Sequence, residues 1–380
     1  MKLKWRKYGH PTRIQPRSRS AKRTPGEDSS PIRLESVSVD RVVLASPRGF
    51  CAGVEKAIKA LDWMTRVFDP PVYCYHEIVH NQVVVNHFRS LGVVFVDDVA
   101  EVPHGAPLML SAHGSPPNVI DAARASGGAV VDAVCPLVTK VHHELKVRAR
   151  KGYTVLYVGH EGHEEAVGTM AVAPEAVELI QSIEDIDRAA RRPGPFALLS
   201  QTTLSEDEWS HLREYALSKI PDIWMPNRSD LCFATTNRQG ALRAIASSAE
   251  AVVVIGSANS SNTVALTDVA RSVGSRRVLR VNGVGELPDD LEGVVAVTAG
   301  ASAPESLVSE VLDFLGPRDG VDTFAFTTED EYFPPPPELR EILRALCATL
   351  DVGLGAPSPS TFDGQADREF TAAQVLSPTS

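Results

Sequence analysis

This chain of 380 residues lacks most of the features that mark specialised proteins. It has five cysteines, irregularly spaced and without a CxxC pair. That excludes a disulfide scaffold and gives neither the paired spacing of a zinc ribbon nor that of an electron-transfer ferredoxin. No window approaches 18 consecutive apolar residues, so no membrane-spanning helix is expected. No secretory apolar region precedes the cysteines, and a reducing cytoplasm is the expected setting. Neither a Walker A sequence nor GxGxxG occurs, which leaves nucleotide binding without direct support. A formal net charge of −10 argues against general nucleic-acid binding. What is present is 43% apolar and 23% charged residues, enough to bury a sizeable core in two or three domains.

The chain falls into three stretches. Residues 1–39 begin with nine Lys or Arg and no acid before Thr24, and read as a disordered basic extension. A transit-type segment shares that composition, but the amphipathic pattern of one is missing. From Asp40 to about Gly316, short β-branched apolar runs alternate with amphipathic stretches of helical length. Ten such runs read as buried parallel strands, and the alternation gives an α/β fold. Ten strands suit several small units of three or four better than one sheet. After Pro317 comes "EDEYFPPPPELREILRAL", a proline run and a short helix; from Gly353 onward the composition reads as disordered.

Reactive side chains gather just after the apolar runs. "VVLAS" leads to Cys51, "LMLSA" to His113, "VVDAV" to Cys135 and "VLYVG" to His163 and Glu165. "ALLS" leads to Thr202, "VVVIGSA" to Ser260, Ser261 and Asn262, and "VAVTAGA" to Ser302. Ligands of parallel α/β sheets bind beyond the carboxyl ends of the strands, which is where these residues fall. Cys51, Cys135 and Cys232 are 84 and 97 residues apart, about one small unit each. Converging without a fourth cysteine, they suit an iron–sulfur cluster or a zinc ion with one position open. Cys74 in a strand and Cys347 in the tail helix read as packed or spectator thiols.

Most of the eleven histidines need no special reading, and His10, His87, His104, His142, His143 and His211 are taken as ordinary core or surface side chains. His80, His113 and His163 differ because they end apolar segments beside Asn81, Gly114 and Glu165. With Ser, Asn and helix-start N–H groups, they make a cradle for an anion such as phosphate. "NSSN" from Asn259 to Asn262 also suits ordinary N-capping, and both roles are compatible. Glu165 is a carboxylate that a closed cleft could tune as a proton donor, while Glu161 and Glu164 read as a solvated acidic turn.

Nine segments in order, "PRGFCAGVEKAI", "HEIVHN", "SAHG", "DAVCPLVTKVH", "GHEGHEEAVGT", "QTTLS", "CFATTNRQ", "GSANSSNT" and "TAGASAP", resemble the LytB family of 4-hydroxy-3-methylbut-2-enyl diphosphate reductases. The resemblance spans about Val42 to Pro304. It implies three α/β units related by a pseudo-threefold axis: 53–135, 136–228, and 40–52 plus 229–317. A closing segment and helix (318–352) and a disordered tail (353–380) would follow. It implies one [4Fe–4S] cluster per chain on Cys51, Cys135 and Cys232, with one open iron site acting as Lewis acid. His80, His113, His163, Ser260, Ser261, Asn262 and Ser302 match the diphosphate cradle; Glu165 matches the proton donor and Thr202 the hydroxyl that orients it. The implied reaction removes an allylic hydroxyl and yields isopentenyl and dimethylallyl diphosphate, the last step of the non-mevalonate isoprenoid pathway. The electron donor would be reduced ferredoxin or flavodoxin, and the chain a monomer or homodimer. One departure is Ser46, where the family usually carries Asn. Two other readings stand beside this one: a zinc hydrolase of phosphate esters with Glu165 as base, and a non-enzymatic sensor or binding module.

Overall fold

The computed structural model describes residues 38–354 and 364–377. Each of the ten apolar runs is a strand there: β1 (Ser38–Ser46), β2 (Val72–Tyr75), β3 (Val93–Val96), β4 (Leu108–Leu110), β5 (Val130–Asp132), β6 (Thr154–Val158), then, after one further strand, β8 (Phe196–Ser200), β9 (Ala251–Ile255), β10 (Val278–Val281) and β11 (Glu292–Ala299). The interposed β7 (Val177–Ile180) and a final β12 (Val321–Ala325) were not expected. β7 alternates buried and half-buried positions in "VELI", and β12 is an exposed edge strand, so neither carries a continuous apolar run.

All pairings between these strands are parallel, in three sheets of order β10-β9-β11-β1-β12, β3-β2-β4-β5 and β7-β6-β8. Parallel sheets are covered on both faces, which explains the apolar strands. β9 shows the rule. Ala251, Val253 and Ile255 enter one core with Leu307 and Val311, while Val252 and Val254 enter another with Leu242 and Leu266. With strands reading the same way and helices returning the chain, each sheet presents its carboxyl ends as a row of strand-to-helix turns.

Two expectations change at the chain ends. The basic extension was expected through residue 39, yet β1 begins at Ser38 and Val39 is fully buried; residues 1–37 lie outside the described residues. The tail was expected to be disordered from Gly353. Over 364–377 it instead forms the helices Gly364–Glu369 and Ala372–Val375. The apolar Ala372 and Val375 pack into the core beside the helix Ala52–Val67, and this burial outweighs the polar composition. Residues 355–363 and 378–380 lie outside the described residues. β12 also joins the first sheet from within the stretch read as a closing segment. Among the described residues no helix is long and apolar enough to cross a membrane.

Candidate active site

The three cysteines share one local geometry. Cys51, Cys135 and Cys232 are the N-cap residues of the helices Ala52–Val67, Pro136–Arg150 and Phe233–Ala246. Each backbone N–H is held by a neighbouring turn: Cys51 donates to Ala301 O (3.2 Å), Cys135 to Ala112 O (3.0 Å) and Cys232 to Thr202 O (3.0 Å). The turn before Cys51 needs Gly49, at φ +65°, where a Cβ would also sit 3.1 Å from Ala303 O. The sulfurs then converge. A Cβ on Gly53 would lie 2.9 Å from Cys135 Sγ and 3.8 Å from Cys51 Sγ. Cys232 Sγ accepts hydrogen bonds from Thr235 N (3.2 Å) and can pair with Thr235 Oγ1 (2.9 Å).

These thiols suit a multinuclear iron–sulfur group. Burial, and then the neighbouring Cys51 sulfur, push Cys135 and Cys232 up to about 12. Such thiols become thiolates when a cation takes up their charge. Three helix N-termini aimed at the same point favour that anionic assembly.

Beside the sulfurs lies a cluster of three imidazoles. His80 and His113 stack, with ring centroids 4.2 Å apart and planes 13° from parallel; His163 meets both edge-on at 5.9 and 6.2 Å. His163 caps the helix Glu164–Met170, its Nδ1 accepting from Glu165 N (3.1 Å). The neutral ring therefore carries its proton on Nε2. Burial and then His113 and His80 hold His163 down to about 3, and burial lowers His113. Burial alone would raise Glu164, but contact with His113 (Nδ1 to Oε2, 2.8 Å) pulls it down to about 2. His80, His113 and Glu164 are also the described side chains whose ligand atoms stand close enough to share a metal ion.

Hydroxyls and helix ends complete the cradle. Ser260 caps the helix Ser261–Ser272, and Ser261 Oγ accepts from Gln201 Nε2 and from Thr203 Oγ1, each at 3.0 Å. Asn262 accepts from Ala301 N (2.9 Å) and donates to Thr235 Oγ1 (3.3 Å), while Ser302 Oγ donates to His80 O (3.1 Å). Among the described residues lining the cavity there is no Lys or Arg. Positive potential comes from oriented N–H groups and imidazole protons.

Glu165 is the acid of the cavity. It is 2% exposed and accepts from Thr202 N (2.7 Å) and Thr202 Oγ1 (2.9 Å). Burial raises it to about 7 against both of those hydrogen bonds. It is thus poised to carry a proton near neutral pH.

All twelve residues singled out from the sequence line this one cavity, which holds about 790 Å³ of empty space counted to its open mouth. Four further residues at or around the cavity carry contacts that local sequence pattern does not mark. Glu164, read as a solvated turn, is half-buried against His113, because its partner lies on a different strand end. Thr235 bonds a cysteine, and "CFATTNRQ" carried that hydroxyl in plain view at N3 of the helix. Arg238, in the same segment, is fully buried and donates to Gly49 O, Phe50 O and Ala234 O, and to both carboxylate oxygens of Glu329. Phe333, from the proline-rich segment, walls the cavity.

Fold and site define a class: an α/β protein whose strand ends gather three cysteines, three imidazoles, a set of hydroxyls and a buried carboxyl around one cavity. Comparison with known proteins then specifies it, since residues 42–316 match the LytB protein family and the chain belongs to that family. It is 47% identical over 306 residues to the 4-hydroxy-3-methylbut-2-enyl diphosphate reductase of Rhodopirellula baltica, across 79% of this chain and 96% of that protein. It is 44% identical to the reductase of the same name from Nocardia farcinica, across 82% and 94%. Among solved structures it is similar to the E-1-hydroxy-2-methyl-but-2-enyl-4-diphosphate reductase of Plasmodium falciparum, with a TM-score of 0.77 at 29% identity, covering 81% of this chain and 99% of that one. A solved (E)-4-hydroxy-3-methyl-but-2-enyl diphosphate reductase is similar at a TM-score of 0.54 and 26% identity, covering 73% of this chain and 99% of that one.

Proposed function

We propose that this chain is an oxidoreductase that converts (E)-4-hydroxy-3-methylbut-2-enyl diphosphate to isopentenyl diphosphate and dimethylallyl diphosphate, ending the non-mevalonate isoprenoid pathway. The carbon–oxygen bond of the allylic alcohol breaks, two electrons and two protons enter, and water leaves. The observation that carries this reading is Glu165, buried beside Thr202 and raised to about 7, in a cavity shared with three cysteines and the histidine cradle.

Cys51, Cys135 and Cys232 would hold one [4Fe–4S] cluster per chain with one open iron site, which supplies electrons and a Lewis acid. His80, His113, His163, Ser260, Ser261, Asn262 and Ser302 hold the diphosphate. His163 donates through Nε2 as a neutral ring, because its Nδ1 is already taken by Glu165 N. Glu165 delivers a proton to the departing oxygen, and Thr202 keeps its carboxyl aimed. Reduced ferredoxin or flavodoxin is the proposed electron donor. The chain is taken to act as a monomer or homodimer in the cytoplasm, where its cysteines, none of them in a disulfide, stay reduced. The three sheets are taken to mark the units 53–135, 136–228, and 40–52 plus 229–317.

The test is an anaerobic purification followed by a visible spectrum, iron and sulfide analysis, and turnover with reduced mediator. A brown protein that holds about four irons per chain and makes both five-carbon diphosphates is expected. A colourless zinc protein, inert after cluster reconstitution, would overturn the reading in favour of hydrolysis.

A further inference from the structure

Behind the cavity wall lies a second, polar cleft, and Phe233 and Phe333 line both. Phe333 thus has open space on two sides. Packing alone does not set its position; the attachments of the segment that carries it must.

Those attachments are two. On one side Glu329 is held by the buried Arg238. On the other, Tyr332 donates its hydroxyl to Asp367 Oδ2 at 2.6 Å. Asp367 is the node of this second attachment. It is 7% exposed, and Lys59 donates to its carboxylate at 2.9 Å and to its backbone carbonyl at 2.6 Å. The Lys59 ammonium also lies 5.5 Å from the centre of the Tyr332 ring. Lys59 belongs to the helix that Cys51 caps. Around the node, Arg368 pairs with Asp330, Ala372 N donates to Glu55 Oε2 (2.7 Å), and Ala372 and Val375 are buried against the same helix. Glu329, Tyr332, Phe333 and Asp367 lie past residue 316, where the family match ends, while Arg238, Lys59 and Glu55, which hold them, lie within it.

We propose that residues 364–377 form a clasp that holds the Tyr332–Phe333 wall against the substrate cavity, with Asp367 as its positioning residue. The proposal rests on that cavity being the diphosphate site. An exposed surface ion pair would contribute little to such a task. Asp367 is instead buried and satisfied by two side chains from different segments, one of them Tyr332 of the wall itself.

The test uses the full-length, cluster-loaded protein under anaerobic conditions. Asp367→Asn, Tyr332→Phe and Phe333→Ala are compared for KM, kcat and melting temperature, and for inorganic pyrophosphate affinity by calorimetry. Tyr332→Phe leaves the Lys59–Asp367 pair intact and keeps the question answerable where Asp367→Asn folds poorly. Each variant is expected to raise KM and the pyrophosphate Kd about tenfold with kcat nearly unchanged, which is a loss of uniform binding. The double variant Asp367→Asn/Phe333→Ala should be no worse than either alone, because both act through one wall. A lower melting temperature with unchanged KM and Kd, or effects that simply add, would overturn the clasp. A wild-type protein that neither turns over the substrate nor binds pyrophosphate would instead remove the reading of the cavity, and the clasp with it.

Discussion

At the scale of single residues, the proposed chemistry depends on one carboxyl kept protonated by burial. Glu165 stays near 7 even though Thr202 stabilises its charged form twice over, so desolvation is the stronger effect. As pH rises through about 7 the proposed donor loses its proton, and kcat/KM should fall about tenfold per unit beyond it. Glu165→Gln keeps the shape and removes the proton; turnover should drop by about 10²- to 10⁴-fold while pyrophosphate affinity holds. Thr202→Val makes a finer prediction. It deletes one hydrogen bond to the carboxylate and leaves the backbone one. The carboxyl pKa should rise, and the alkaline limb of the pH–rate profile should move to higher pH. A limb that moves down, or does not move, would show that Thr202 does not tune the acid.

At the scale of elements, the recurring device is the helix N-terminus at a strand end. Helices capped by Cys51, Cys135, Cys232, Asn81, His163 and Ser260 all begin at or beside the cavity. Each contributes about half a positive charge at its first turn. That is how a cavity whose described lining has no Lys or Arg would hold the proposed diphosphate and an anionic thiolate assembly. The same geometry constrains the first turn of the helix Ala52–Val67. Gly53 is helical, and alanine there would favour the helix, but its Cβ would lie 2.9 Å from Cys135 Sγ. Gly53→Ala should therefore keep its far-ultraviolet circular dichroism and lose bound iron. Iron and sulfide analysis after anaerobic reconstitution measures this directly.

At the scale of the whole molecule, segments far apart in the chain are joined by Arg238. It links the turn before Cys51, the helix after Cys232 and the segment leading to Phe333. Its side chain is fully buried and that of Glu329 is 15% exposed. Glu329→Gln leaves a buried guanidinium without its counter-charge. A loss of about 3–5 kcal/mol in unfolding free energy is expected, read by denaturant titration. A loss under about 1 kcal/mol would mean that the backbone carbonyls alone satisfy Arg238.

Sequence alone determined what local pattern determines. The β-branched runs, buried on both faces, could be little else than parallel strands, and the residues after them had to fall in turns at one edge of each sheet. The cysteines, the three histidines and Glu165 were legible for that reason, and through the nine ordered segments shared with one family. Tertiary structure decided what depends on partners distant in the chain. Glu164 looked like a solvated turn until His113 stood 2.8 Å away. Arg238 was one polar residue in a helix until its partner Gly49 arrived from 189 positions earlier. Residues 364–377 carry a disordered-looking composition, and they are ordered by Lys59 and Glu55, more than 300 residues away. Burial creates these effects, and burial belongs to the assembled molecule. A carboxylate, a guanidinium or a thiol acquires its energy from what surrounds it, and neighbours in the chain supply only part of that surrounding.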